Sequence, residues 1–360
     1  MKSLFVKKLL VSTFSLVIVL SFIQSAFAST SLGDILRAKI ELARQQRLAN
    51  ASWGSLTPKT GSSVMPTPKP TIGGKMMSGT IISGGRKRMY MVYVPANYNR
   101  MRWGPAVMAF HGGWGTMKNM SEEYELIEKS DKEGFLAVFP NGTSSFKSGI
   151  FWTWNAGECC GYAVENKVDD VKFVRLLAKK LVTDYRVKKY FAIGMSNGGL
   201  MSYRLACEAS DIFSAIGSVA GTDNTTTCNP TRPIPVMHIH ALNDPNVVYT
   251  GWCWPDCQGD SWAIEFKSVP DTISKWVKLN KCSPEPKTVL SNSWVTCVLY
   301  TGCTNNANVK LCTTTEGGHS WPGTDGNDAN PNVKETPSQA IDANDELWNF
   351  FNSQKVIQPY

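Results

Sequence analysis

A serine stands between two glycines in Gly194-Met195-Ser196-Asn197-Gly198, directly after the apolar run Tyr190-Phe191-Ala192-Ile193. A segment rich in small residues follows, Leu200 to Ala209. That order suits a nucleophile elbow, in which a strand ends, the chain turns sharply and a serine hydroxyl is held at the apex. The flanking glycines remove Cβ atoms that would collide in so tight a turn. Ser196 is therefore a candidate nucleophile. The pentapeptide alone is of moderate weight in a chain with 29 glycines, so its partners decide the reading.

A serine hydroxyl is a weak nucleophile at neutral pH and needs a base, which in turn needs an orienting acid. Only four histidines are present. His111 lies in His-Gly-Gly after an early apolar run, His238 and His240 lie within a later one, and His319 lies in the loop Gly317-Gly-His-Ser-Trp-Pro-Gly323. An elbow serine is followed in chain order by its acid and then its histidine. Only His319 leaves room for an acid after a separate strand, and Asp244, just beyond Val236–Ala241, takes that place. Asp223 is the rival acid. Asp169 and Asp170 precede Ser196 and read as a helix N-cap. His238 and His240 share a strand face, which suits metal ligands, but no third ligand lies near. No metal and no cofactor is expected.

The developing oxyanion needs backbone donors. One is the amide of Asn197; the second is expected from His111-Gly112-Gly113-Trp114, with Gly113 favoured over Trp114. Trp114, Trp152, Trp154 and Trp321 flank these motifs. Trp114, Trp321 and Trp154 are candidate substrate-binding residues, as a stacking surface for an aromatic acyl group or a sugar ring; the competing reading is core packing.

These residues must be placed by a scaffold. Short apolar runs at 89–94, 106–111, 135–139, 190–193, 215–220 and 236–241 read as strands. Helical patterns intervene at 119–133, 169–185 and 200–209, and another closes the chain at 339–351. In 169–185, Val174, Leu177 and Leu181 recur at helical spacing with lysines opposite. Alternation of this kind predicts an α/β fold with a mostly parallel sheet covered by helices on both faces.

The N-terminus reads as a secretory signal over residues 1–28, with Lys2, Lys7 and Lys8, an apolar stretch from Leu9 to Phe22, and Ala26-Phe27-Ala28 before the cut. Residues 29–74 follow as a basic amphipathic helix, Ser31 to Asn50, and a Pro/Ser/Thr/Gly-rich linker. Residues 75–360 form the expected catalytic domain. Removing the three leader lysines takes the formal charge from +8 to +5, with no dense basic run, so neither nucleic-acid binding nor stable membrane insertion is expected. The ten cysteines read as disulfides of an exported protein, extracellular or periplasmic. Cys297 and Cys312 suit a cross-strand pair, Cys282 and Cys303 bracket one unit, and Cys253 and Cys257 close a small loop. Cys159, Cys160, Cys207 and Cys228 are left to pair among themselves.

With these motifs in place the chain resembles the secreted polyhydroxybutyrate-depolymerase-type esterases, a family that includes bacterial feruloyl and acetylxylan esterases. Five blocks carry the likeness, in order over about residues 75–352. They are His111-Gly-Gly; Trp154-Asn-Ala-Gly-Glu-Cys-Cys-Gly161 with Val168-Asp-Asp-Val171; Gly194 to Gly199; His238-Ile-His through Asp244-Pro245; and Gly317 to Gly323. The resemblance implies an α/β-hydrolase fold and a Ser196-Asp244-His319 triad. It departs at Gly113, Ala241 and Lys172, where the family usually has Cys, Gly and Gly. The segment Tyr249 to Lys267, with three tryptophans and two cysteines, looks like an added lid or specificity loop. The expectation is a serine ester hydrolase acting on feruloyl or acetyl esters of polysaccharide, or on short hydroxyalkanoate esters including polyhydroxybutyrate. A serine peptidase or a non-catalytic glycan-binding protein on the same fold is the alternative of another class.

Overall fold

The computed structural model describes residues 73–146, 150–254, 264–325 and 336–354. The expected signal segment, the Ser31–Asn50 helix, nearly all of the linker, Cys257 and the centre of the Tyr249–Lys267 segment lie outside the described residues. No helix among the described residues is long and apolar enough to cross a membrane.

The chain opens with two strands, β1 (Lys75–Ser83) and β2 (Arg86–Val94), then β3 (Gly104–Phe110), helices α1 (Met117–Glu122) and α2 (Leu126–Glu133), and β4 (Leu136–Pro140). A short helix α3 (Gly161–Glu165) precedes α4 (Asp170–Tyr185), β5 (Val187–Met195), α5 (Asn197–Glu208), β6 (Phe213–Val219) and β7 (Val236–Ala241). The remainder is a two-stranded ribbon, β8 (Trp252–Trp254) with β9 (Ile264–Phe266), then α6 (Val269–Leu279), β10 (Lys287–Ser291), β11 (Val295–Tyr300), β12 (Val309–Thr314) and α7 (Ala343–Ser353).

Ten strands form one sheet in the order β1-β2-β4-β3-β5-β6-β7-β12-β11-β10. The six central strands from β4 to β12 are parallel, and both margins are antiparallel. Alternation along each strand divides the core into two layers. Ala106, Met108 and Phe110 face a cluster with α4, α5 and α6, whereas Val107 and Ala109 face one with α1, α2 and α7. Both faces of the central strands are covered, which is why they read as unbroken apolar runs. The six predicted strands all appear, each within a few residues of its expected ends.

Three differences have physical causes. The single helix expected over 119–133 is two, because Glu125 adopts a left-handed conformation (φ 52°) and Tyr124 turns into the core against Trp321. The last helix begins at Ala343 rather than Gln339, where Asp342 accepts a hydrogen bond from the Asp345 amide at 2.8 Å. Strands β1 and β10 and helix α6 were not expected from the pattern; both strands are largely exposed, so their apolar signal is faint. The disulfides Cys207–Cys228, Cys282–Cys303, Cys297–Cys312 and Cys159–Cys160 match the expected grouping.

Candidate active site

Parallel strands release their loops at one edge of the sheet, and that edge gathers the predicted residues. Ser196 follows β5, Asp244 follows β7 and His319 follows β12, all within four adjacent parallel strands.

Ser196 forms the N-cap of α5 at φ 53°, ψ −123°, a strained conformation for a residue with a side chain. Its amide is anchored to the Val219 carbonyl at 2.9 Å. The elbow tolerates no bulk. A Cβ on Gly194 would meet the Gly198 carbonyl at 2.2 Å, and one on Gly198 would meet the Phe110 carbonyl at 2.0 Å. The glycine spacing seen in the sequence thus lets strand, turn and helix pass at van der Waals contact.

His319 Nδ1 lies 2.8 Å from Asp244 Oδ2 and 3.1 Å from Oδ1. The Asp244 carboxylate is buried and accepts further bonds from the Asn246 and Val247 amides at 2.8 and 2.9 Å. Burial by itself would raise its pKa, but the charge of His319 and the hydrogen bonds from His240 and His319 outweigh it. The group is held well below the usual carboxylate range. The Gly318 amide donates to Asn243 Oδ1 at 3.0 Å, which ties the His319 loop to the Asp244 loop.

The other histidines are committed elsewhere. His111 is buried, accepts at Nε2 from the Gly142 amide (3.0 Å) and donates from Nδ1 to the Gly112 carbonyl (2.8 Å). Burial pushes its pKa down to about 4, so it is neutral and structural. His238 and His240 hydrogen-bond each other at 3.0 Å, which uses the nitrogens a shared metal ion would need. Asp223, the rival acid, is buried between Lys275 Nζ and Trp276 Nε1, both at 2.9 Å. Asp169 caps α4 through the Lys172 amide, as expected. Asp170 instead makes a buried ion pair with Arg88 at 2.6 Å, a role the sequence did not signal.

The loop after β3 lies against the elbow: a Cβ on Gly112 would stand 3.5 Å from Ser196 Cβ, and one on Gly113 3.7 Å from Asn197 Cβ. The Trp114 amide already donates to the Trp152 carbonyl at 2.7 Å, which leaves Gly113 the better oxyanion donor of the two. The Asn197 side chain grips both the amide and the carbonyl of Trp154, at 2.8 and 3.1 Å. The Trp154 indole N–H donates to the His111 carbonyl at 3.0 Å. Trp154 thus joins the elbow to the loop after β3.

One expectation needs correction. Trp154 and Trp321 are 0% and 2% exposed, so neither presents a stacking face. Trp154 packs on Phe110 and His111, and Trp321 on Tyr124. Sequence adjacency to a catalytic motif placed them near the site, but as its supports. Trp114 is 62% exposed and meets Phe151 edge to face, with ring centres 5.8 Å apart. Phe151 was missed; its positive φ of 59° is a feature no sequence pattern announces.

A family model described as "Putative esterase" matches residues 82–321, two thirds of the chain, a span that contains Ser196, Asp244 and His319. The chain is similar to feruloyl esterase B of Piromyces equi, 27% identical over 239 residues, covering 64% of this chain and 42% of that protein. It is also similar to a bifunctional acetylxylan esterase/xylanase of Neocallimastix patriciarum, 22% identical over 167 residues, covering 46% of this chain and 22% of that protein. The chain therefore spans less than half the length of either relative. Among solved structures, the acetyl xylan esterase from Aspergillus awamori superposes with a TM-score of 0.54 at 14% identity, over 78% of this chain and 99% of that one. At that identity the likeness speaks for the fold. The sheet order, the elbow and the family match agree: the chain belongs to this esterase family and carries the α/β-hydrolase fold.

Proposed function

We propose that the protein is a secreted serine esterase working through an acyl-enzyme. Ser196 attacks the ester carbonyl. His319 takes the hydroxyl proton and returns it to the leaving alcohol. Asp244 fixes the imidazole tautomer and stabilises the imidazolium. The amides of Asn197 and Gly113 hold the oxyanion, and water then releases the acid. The observation that carries this reading is the His319–Asp244 hydrogen bond, set on the same sheet edge as a strained serine elbow.

The substrate is proposed to be a feruloyl or acetyl ester on plant polysaccharide, or a short hydroxyalkanoate ester. Two observations support a ring-bearing partner. Relatives are named for feruloyl and acetylxylan esters, and an exposed ring, Trp114, edge to face with the half-buried Phe151, adjoins the Gly113 loop. Export is supported by the leader-like N-terminus and by the disulfides.

The test is hydrolysis of p-nitrophenyl acetate, butyrate and octanoate, methyl ferulate, acetylated xylan and a hydroxybutyrate oligomer by wild type and Ser196→Ala. The preferred ester names the subclass. A wild type that hydrolyses none of them, or a mutant that matches it, would sink the reading.

A further inference from the structure

Behind Asp244 runs a chain of hydrogen bonds that the triad does not require. Tyr203 Oη lies 2.8 Å from His238 Nδ1, and His238 Nε2 lies 3.0 Å from His240 Nδ1. His240 Nε2 lies 2.7 Å from the Val247 carbonyl and 3.2 Å from Asp244 Oδ2. Tyr203, His238, His240 and Asp244 are all buried, and the two imidazole planes are parallel within 3°, the rings meeting edge to edge through the shared hydrogen bond.

The direction of every bond follows from its end. A carbonyl and a carboxylate only accept, so His240 Nε2 carries a proton. In the Nε2–H tautomer His240 accepts at Nδ1, and His238 Nε2 is then the donor. His238 Nδ1 must accept in turn, and Tyr203 supplies the last O–H. Burial pushes the His238 pKa well below its ordinary value and the Tyr203 pKa well above its own, which keeps both of these groups neutral. Three N–H and O–H dipoles therefore point the same way, toward Asp244.

The chain also joins two elements of the site. Tyr203 sits on α5, about two turns beyond Ser196, whereas the histidines lie on β7, whose following loop carries Asp244. The His240 N–H is aimed first at the Val247 carbonyl at 2.7 Å and also reaches Asp244 Oδ2 at 3.2 Å, the oxygen that His319 contacts at 2.8 Å, so His240 holds the loop that presents Asp244 to His319. Two buried imidazoles are an expensive filling for a strand that aliphatic residues would pack, and every ring nitrogen here is satisfied.

We propose that Tyr203, His238 and His240 are positioning residues, a polarised brace that registers the Asp244 loop against the nucleophile helix; this rests on the roles proposed above for Asp244 and His319. The ionisable groups around the brace are Asp244 and His319 at one end, Tyr249 edge-on to His240 at 5.9 Å, and Asp223, whose charge acts on Tyr203 at the other.

The first test needs no mutation. Nitrogen-15 NMR of the wild-type imidazoles at neutral pH should show both His238 and His240 as the Nε2–H tautomer. An Nδ1–H tautomer at either site overturns the brace. The second test reads kcat and KM on p-nitrophenyl acetate in variants checked for fold by circular dichroism. His240→Leu should lower kcat about 10–100-fold, as loss of a group orienting a reacting side chain does, with KM within about twofold. The acid limb of its kcat/KM profile should move to higher pH, because a carboxylate that loses a donor holds the His319 proton more tightly. His240→Gln, which restores an N–H near the Nε2 position, should recover most of the rate. Tyr203→Phe should lower kcat by a smaller factor in the same direction. A folded His240→Leu with unchanged kcat or an unmoved acid limb overturns the proposal, and if that variant does not fold, an unchanged kcat in Tyr203→Phe does so. A wild type without esterase activity defeats the catalytic assignment alone, and the tautomers still decide whether the brace exists.

Discussion

The two sides of the site are built by opposite means. On the Asp244 side each polar atom is buried and has a fixed partner: two amides and two imidazoles converge on one carboxylate. On the Gly113 side the loop is held from beneath by Trp154, and the ring it raises, Trp114, stands in solvent. The difference separates two demands. Proton transfer needs atoms fixed to fractions of an ångström in low dielectric. Recognition of an extended substrate needs open apolar faces, which need little support from the fold to change.

The largest blow to this contrast comes on the fixed side. Ser196→Ala should lower kcat by about 10⁴-fold or more, and Asp244→Asn by about 10⁴-fold through the wrong His319 tautomer. Steady-state kinetics on the best ester check both, and a loss below tenfold in either would remove the residue from the triad.

Acid should loosen the buried side next. His111 is held neutral with its pKa at about 4, below the ordinary 6.5, and His238 is depressed too. The unfolded chain thus binds more protons between those values, so stability falls as pH drops from about 6.5 toward 4. For His111 alone the loss is about 3 kcal/mol across that window. Thermal melts from pH 7.5 to 4.5 measure it, and a flat Tm would contradict neutral burial.

Smaller effects sharpen the comparison. Trp114→Ala should leave Tm within about 1 °C, since an exposed ring contributes little to the core. It should raise KM for feruloylated or polymeric esters by up to about tenfold, the value of one stacking contact. Trp154→Phe should do the reverse. It shrinks a fully buried ring and leaves the His111 carbonyl unbonded, together about 2–4 kcal/mol, which lowers Tm by roughly 5 °C or more. Differential scanning calorimetry of the pair, with KM for methyl ferulate and feruloylated xylan, places each tryptophan in its class. Equal effects from the two would erase the distinction.

Much of the fixed side was legible in the sequence because its chemistry needs particular residue types in order. Gly194 and Gly198 announce the elbow, and among four histidines the chain order singles out His319, which the structure sets 2.8 Å from Asp244. The disulfide grouping was legible too, since Cys297 and Cys312 fall at facing positions of β11 and β12. The tryptophans were not. Trp114, Trp154 and Trp321 are equally close to motifs along the chain, yet one is exposed and two are buried. Nor did Asp170 reveal that it pairs with Arg88, 82 residues away.

The sequence by itself determined the alternation of strands and helices, the elbow and the order of Ser196, Asp244 and His319 along the chain. These depend on local sterics, on side-chain periodicity and on the scarcity of residue types able to do the chemistry. Only the tertiary structure decided which side of each aromatic ring meets solvent and which partner each buried nitrogen takes. It also decided that Tyr203 and His238, 35 residues apart, stand 2.8 Å from each other. Those outcomes depend on how α5 packs over β3, β5 and β6 so that Tyr203 reaches β7, and burial then makes each unpaired polar atom costly enough to fix its partner.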